Sequence, residues 1–130
     1  MSYTIRNLRD VPDVAPRFGF EAVQEARFAR GDLDSETIGL AFHTVKPDCR
    51  QAFAHRHDQA EEVYVVLSGR GRIKLDDDIR NVQTMDAIRI SPGVARAFEA
   101  GSDGLELLVF GPHHEGDGEV LTGDFWAQSD

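Results

Sequence analysis

The amino-acid sequence predicts an all-β domain, either a sandwich or a barrel. The chain has 130 residues, close to the commonest size of a single domain and long enough to bury one core. At least six short β-like runs lie within residues 35–111, and Gly, Pro, Asp and Ser residues separate them. Short strands at this spacing are typical of sandwiches and barrels.

The predicted strands follow one another from residue 37 to residue 110. In chain order they cover residues 37–45, 62–67, 72–75, 87–90, 96–99 and 105–110. In the first of them Ile38, Leu40 and Phe42 alternate with other residues and share one face. The second is apolar on both faces, which is typical of a strand covered on both sides.

The segments between and before these strands are read from their turn and helix propensities. Gly69-Arg70-Gly71 is predicted to be a hairpin turn, and Asp76-Asp77-Asp78 a charged turn. Residues 20–30 are rich in Ala, Glu and Arg, so that a strand and a helix are both open there. A short turn of helix is expected at residues 14–17.

The two ends of the chain are expected to be extensions of a central barrel or sandwich at residues 35–111. Residues 1–34 are predicted to pack on that core or at a dimer interface. Residues 112–130 form an acidic C-terminal extension, within a 101–130 stretch that carries seven acidic and no basic side chains. Leu121, Phe125 and Trp126 are apolar anchors that would order this extension against the body.

Charge and composition limit the location and the partners of the chain. The net charge is −9 and there is no lysine-rich patch, so nucleic acid and anionic membranes are poor partners. No apolar run is long enough to span a bilayer. The single cysteine, Cys49, cannot form an internal disulfide, and a cytoplasmic location is expected. Small molecules and proteins remain as partners.

Two histidines and a glutamate form the candidate site. His55 and His57 are two residues apart, so on a strand both imidazoles project from the same face. Glu62 begins the most apolar strand, and a tight turn would place its carboxylate beside them. Two imidazoles and one carboxylate suit Fe(II), Mn, Ni or Zn. The alternative is that both histidines are solvated turn residues, since His-x-His is a common pattern.

The same residues fit a longer motif, G-x5-H-x-H-x(3,4)-E-x6-G. His55, His57, Glu62 and Gly69 match it in register, and Cys49 stands where the first glycine is usual. Over residues 35–111 the chain thereby resembles the cupin superfamily, and is similar to its small single-domain, conserved-barrel members. The resemblance implies an antiparallel jelly-roll β-barrel with minor helical content, and a divalent metal on His55, His57 and Glu62.

The second motif of that family is degenerate here. Its five fixed places are occupied by Met85, Ser91, Gly93, Arg96 and Ala100, of which only the glycine matches. Arg96 therefore replaces the usual fourth metal ligand, and an arginine has no lone pair to donate. Two states follow: a metal on three ligands with Arg96 free to clamp an anionic group, or an ion pair of Arg96 with Glu62 in place of the metal.

Strand parity extends the site into a pocket. Tyr64 shares its parity with Glu62, and Phe98 with Arg96, so Arg96, Tyr64 and Phe98 are the candidate ligand-binding residues. The opposite face of the second strand is an apolar strip of Val63, Val65 and Leu67. Such a strip needs a cover, and a homodimer is expected.

Three other features are predicted to have no catalytic or ligand-binding role. His43 lies on the face opposite Leu40 and Phe42 and is expected to be a structural or surface histidine. The run His113-His114-Glu115 is expected to be a solvated loop, and Cys49 an inert thiol.

Two functions remain open at this point. The first is a metal-dependent enzyme acting on a small organic, perhaps anionic, molecule; the resemblance implies a range that includes dioxygenases, isomerases, decarboxylases and epimerases. The second is a non-catalytic module that binds a small ligand, with the Arg96–Glu62 ion pair in place of the metal.

Overall fold

A computed structural model describes residues 2–127, which form one antiparallel sheet of eight strands curled into a barrel. The strands are β1 (Gln24–Phe28), β2 (Ile38–Val45), β3 (Ala54–His57), β4 (Glu62–Leu75), β5 (Asp78–Gln83), β6 (Ala87–Ile90), β7 (Arg96–Pro112) and β8 (Gly118–Leu121). Two single-turn 3₁₀ helices, Leu8–Asp10 and Ala15–Phe18, precede them. The predicted all-β barrel with minor helical content is confirmed.

The longest strand, β7, joins the parts of the sheet. One path of paired strands runs β1-β2-β7-β3-β8, while β4 pairs with β5, β6 and β7. The second half of β7 lies between β2 and β4, and its first residue, Arg96, pairs with His55 of β3. β7 therefore positions β3, the strand that carries both histidines of the candidate site.

The barrel interior has the predicted register. Tyr64 and Val66 of β4 are buried in the core with Phe98 and Leu107 of β7. On the opposite face of β4, Leu67 is 41% exposed. A slip of one residue would have reversed these faces, so the parity used to predict the site is confirmed.

The predicted hairpin turn at Gly69-Arg70-Gly71 is wrong, because β4 continues through it. The pairing of β4 with β7 shifts register there: Gly71 faces Ala100 and Gly69 faces Leu105, so that residues 101–104 stand opposite Arg70 alone. A Cβ on Gly71 would lie 2.1 Å from the Glu99 carbonyl oxygen, and Gly69 has φ +87°. The glycines permit a close, bulged crossing instead of a chain reversal. For the same reason the predicted strands 96–99 and 105–110 are one strand.

The N-terminal segment adds a strand to the sheet. The choice left open for residues 20–30 is settled as strand β1, which pairs with β2. The expected turn of helix lies at Ala15–Phe18. Before it, the Arg9 guanidinium sits 5.2 Å from the centre of the Phe42 ring and covers the outer face of β2.

The C-terminal segment is described up to residue 127 and packs against the barrel. β8, which the sequence analysis did not predict, pairs with β3. Phe125 packs with Ala54, Ala95 and Ala97, and Leu121 and Trp126 lie against this cluster, as expected of apolar anchors. The predicted Asp turn joins β4 to β5, with Asp76 at φ 52°. Among residues 2–127 no helix is long and apolar enough to cross a membrane.

Candidate metal centre

The structure brings together the three residues predicted to bind metal. His55 and His57 lie on β3 and Glu62 opens β4, and one ligand atom from each lies within 4.8 Å of the others. The Nε2 atom of His57 is 3.3 Å from Glu62 Oε1, and that of His55 is 3.9 Å away. The alternative interpretation, two unrelated histidines on a solvated turn, does not describe this arrangement, because all three side chains are half-buried.

The backbone around β3 fixes where the imidazoles point. His55 pairs with Arg96 of β7 on one side and with Val120 of β8 on the other. The His57 carbonyl accepts a 2.7 Å hydrogen bond from the Gly93 amide. Gly93 is the strictly matched residue of the degenerate second motif, and its φ of +88° belongs to the region that favours glycine. The retained part of that motif thus supports the strand of the first.

A carboxylate from the C-terminal extension lies behind His57. Asp117 Oδ2 is 3.2 Å from His57 Nδ1, and the Asp117 side chain is only 3% exposed. Its two oxygens also accept the backbone amides of Gln59, at 2.7 Å, and Ala60, at 3.0 Å. Asp117 therefore holds both the turn between β3 and β4 and the outer edge of an imidazole of the site. Sequence analysis missed it, because nothing local links residue 117 to residue 57.

Arg96 is fully buried and contacts the same carboxylate as the histidines. Its Nη2 lies 2.9 Å from Glu62 Oε1, and its Nη1 donates a 2.7 Å hydrogen bond to the Val94 carbonyl. In the sheet Arg96 pairs with Leu75, at the far end of β4 from Glu62. The Arg96–Glu62 contact therefore crosses the barrel, and it is the contact expected of the ion-pair state.

The charges of the site depend on one another. Burial alone would raise the pKa of Glu62, but the imidazoles of His55 and His57 beside it and the charge of Arg96 hold this pKa well below its usual range. The Glu62 carboxylate, 3.3 Å away, raises the pKa of His57 against the opposing effect of burial. Burial lowers the pKa of His55 and outweighs the opposing effect of the nearby Glu62 carboxylate. Glu62 is therefore ionised and His55 neutral near pH 7, which are the forms that bind metal.

The donor set fits a divalent metal on three ligands. At bond lengths of about 2.1 Å, neighbouring ligand atoms lie roughly 3.0–3.4 Å apart. The 3.3 Å separation of His57 from Glu62 meets this condition, and the 3.9 Å separation of His55 needs a small closure. Arg96 opposes the metal electrostatically, since it places a positive charge against the ligand oxygen.

The predicted ligand-binding residues lie just beneath this centre. Tyr64 and Phe98 are buried with their ring centres 5.1 Å apart, and Tyr64 lies near Arg96. Burial raises the pKa of Tyr64, so the phenol is neutral. These rings pack in the barrel next to the metal ligands, and the side chains of His55, His57 and Glu62 are 17–24% exposed.

His43 lies near the site, which the sequence analysis did not predict. It lies opposite Leu40 and Phe42, as expected, but that face is the barrel interior, with Ala41 and Val45. It is close enough to His55 and Glu62 for their charges to affect it. Burial lowers the pKa of His43 to about 4, and its Nδ1 has no hydrogen-bond partner among residues 2–127.

The remaining candidates lie elsewhere. His113 is 3.7 Å from Glu115 in the loop before β8, and His114 is exposed there. Cys49 is a half-buried free thiol packed against the core. None of these belongs to the cluster of His55, His57 and Glu62.

Comparisons with known proteins identify the family of the chain. A family model described as a cupin domain matches residues 41–111. The uncharacterized protein MJ1618 of Methanocaldococcus jannaschii is 31% identical over 80 residues, which cover 59% of this chain and 64% of that protein. The matched segment thus spans less than two thirds of that relative.

Solved structures agree on the architecture. A cupin protein from Bacteroides fragilis, BF4112, superposes with a TM-score of 0.69 at 21% identity, covering 100% of this chain and 97% of the other. Oxalate decarboxylase from Bacillus subtilis superposes with a TM-score of 0.72 at 21% identity, covering 91% of this chain and 33% of the other. At this identity the likeness concerns the fold. The family match, in contrast, spans more than half of the chain and includes His55, His57 and Glu62: the chain belongs to the cupin family.

Proposed function

We propose that the protein binds a divalent metal through His55, His57 and Glu62 and uses this centre to act on a small organic anion. The observation that supports this proposal is the convergence of two imidazole nitrogens and one carboxylate oxygen on partly exposed side chains. Three protein ligands leave coordination positions for a bound molecule. A divalent metal there would serve as a Lewis acid, or as a redox centre if it were Fe or Mn.

The protein's own residues account for the preference for an anion. Arg96 lies next to Glu62, keeps its charge at any ordinary pH, and has a buried Nε without a hydrogen-bond partner among residues 2–127. A guanidinium with an unused N–H is suited to a carboxylate. Oxalate decarboxylase, one of the structural neighbours, is named for a dicarboxylate, which is consistent with this substrate class. Tyr64 and Phe98 fill the space below and would limit the ligand to a small one.

The second candidate is a metal-free binding module. The 2.9 Å contact between Arg96 and Glu62 favours it, because it occupies the ligand oxygen with a guanidinium. In that state the histidines and Arg96 would hold an anionic ligand without turnover.

Metal binding by purified protein tests the proposal. The protein is stripped with EDTA and titrated with Zn²⁺ and Mn²⁺ against a chromogenic chelator, and its metal content on isolation is measured by mass spectrometry. Wild type and the control His114→Ala, an exposed histidine outside the cluster, should bind one metal per chain. His57→Ala should lose this site. Equal binding by His57→Ala, or none by wild type, would leave only the metal-free module.

We also infer that a second copy of the chain covers the outer apolar strip. Val63 pairs with Phe110 and Val65 with Leu108, so that β4 and β7 present one continuous apolar surface, on which Phe110 and Leu67 are exposed. Isolated domains rarely leave such strips uncovered. Sedimentation at micromolar concentration should give twice the 14.4 kDa chain mass, and a monomer would refute the homodimer. The expected cytoplasmic location rests on the single cysteine and stays a prediction.

A further inference from the structure

The C-terminal extension reaches the candidate metal centre at one place. β8 pairs residue by residue with β3, and Gly118 stands opposite His57. This register puts Asp117 directly behind the His57 ring, where its side chain is almost fully buried. Glu119, the acidic residue of β8, instead pairs with Arg56 on the surface, 2.9 Å away. Of these two carboxylates, only Asp117 faces the centre.

The chemistry of the contact defines which nitrogen of His57 can bind a metal. A carboxylate accepts hydrogen bonds and does not donate them, so the 3.2 Å contact requires a proton on His57 Nδ1. In a neutral imidazole the other nitrogen, Nε2, then carries the lone pair. That atom is the one that faces Glu62, at 3.3 Å. The opposite tautomer would place a proton on Nε2 and close the donor position.

We propose that Asp117 is a positioning residue of this centre: it selects the Nδ1–H tautomer of His57 and fixes the ring, and thereby sets metal affinity from the C-terminal extension. Partners of this kind typically change metal affinity by 10–100-fold. The two backbone amides bound to Asp117 keep its carboxylate in place, since they leave it little freedom to rotate away. The effect on affinity rests on the proposed metal site, whereas the tautomer of His57 does not.

The first test needs only metal-free wild-type protein. Nitrogen chemical shifts of the His57 ring are measured by NMR at a pH at which the spectrum itself shows the imidazole to be neutral. The expected signature is a protonated Nδ1 and an unprotonated Nε2. A proton on Nε2, donated to Glu62, would overturn the proposal. If Asp117 only held the turn between β3 and β4 and did not affect the His57 ring, this signature would not be expected.

The second test compares the Zn²⁺ affinity of three variants. Asp117→Asn should weaken binding by 10–100-fold and shift the ring towards a mixture of tautomers. Asp76→Asn is the matched control, because Asp76 also accepts a backbone amide in a turn, that of Ala95 at 2.9 Å, without touching an imidazole. Glu119→Gln controls for the loss of one negative charge on β8. Both controls should stay within about threefold of wild type.

The outcomes separate the two proposals. Wild-type affinity in Asp117→Asn would overturn the role of Asp117 and leave the metal site standing. Absence of Zn²⁺ binding by wild type would remove the metal site, and the His57 tautomer would then decide alone whether Asp117 orients the ring. If Asp117→Asn does not fold, the wild-type spectrum still gives the decision.

Discussion

Replacing Arg96 by methionine tests how the barrel balances its buried charges. Methionine keeps much of the side-chain volume but removes the 2.9 Å ion pair with Glu62 and the bond to the Val94 carbonyl. Breaking one partner of a buried ion pair typically costs 3–5 kcal/mol. Glu62 remains 17% exposed and keeps its contacts with the histidines, so the cost should be at the lower end, about 3 kcal/mol. For a chain of this length that corresponds to a fall in Tm of about 10 °C.

The same substitution should act in the opposite direction on metal binding. The positive charge of Arg96 touches the proposed ligand oxygen, and a unit charge at about 4 Å from another is worth several kcal/mol even at an effective dielectric constant of 20. Its removal should tighten Zn²⁺ binding at least tenfold. Arg96→His should tighten it further, because it restores the imidazole that the second motif lacks.

Urea unfolding with EDTA measures the stability term, and chelator competition measures the affinity. Arg89→Met is the matched control, since Arg89 is 62% exposed and forms a surface pair with Glu61, so that its loss should change stability by less than about 1 kcal/mol. The reasoning fails if Arg96→Met costs no more than Arg89→Met. If Arg96→His gains no affinity and wild type binds no metal, the centre is a binding pocket without metal.

Two further substitutions test the fold and its pH dependence. Burial lowers the pKa of His43 to about 4, so that below pH 6.5 the unfolded chain binds a proton that the folded chain excludes. The free energy of unfolding therefore decreases as the pH decreases from 6.5 towards 4. In EDTA, wild type should lose roughly 3 kcal/mol more than His43→Leu between pH 7 and pH 4, and equal losses would contradict the burial of this imidazole. Gly71→Ala should destabilise the protein by about 1–3 kcal/mol in urea unfolding, because its Cβ would meet the Glu99 carbonyl oxygen. Gly31→Ala, which meets nothing within 4 Å, should be near neutral, and similar values for both variants would argue against the bulged crossing.

The part of the site that sequence predicts well is the part built from local spacing. His55 and His57 share a face because side chains in a strand alternate, and Glu62 follows within one tight turn. The same argument predicts that Tyr64 points inward. This argument does not predict Asp117, because sixty residues separate Asp117 from His57. Asp117 reaches His57 only through the pairing of β8 with β3. Pairings between distant strands leave no periodic signal in one sequence.

The hairpin prediction failed for a different reason. Gly69 and Gly71 are compatible with a tight turn, but they are equally compatible with a strand that is crossed closely by its neighbour. The atoms that decide between the two belong to β7: the Gly104 and Glu99 carbonyls approach so closely that no Cβ fits at residues 69 and 71. The sequence shows only that glycines stand at positions 69 and 71. The partner strand β7 shows that they permit its close approach.

The position of His43 follows from how the barrel is covered on its outside. In a barrel with a solvated outer face, the apolar residues Leu40 and Phe42 would point inward and His43 outward. Here the N-terminal segment covers the outer face of β2, where Arg9 packs on Phe42 and also bonds to Glu106. This cover allows large apolar residues on the outside and leaves the inner face to small ones and to His43, near Glu62. Because β2 is covered on both sides, hydrophobicity does not show which of its faces points into the barrel. His43 can therefore lie near the site although the sequence pattern places it on the outer face.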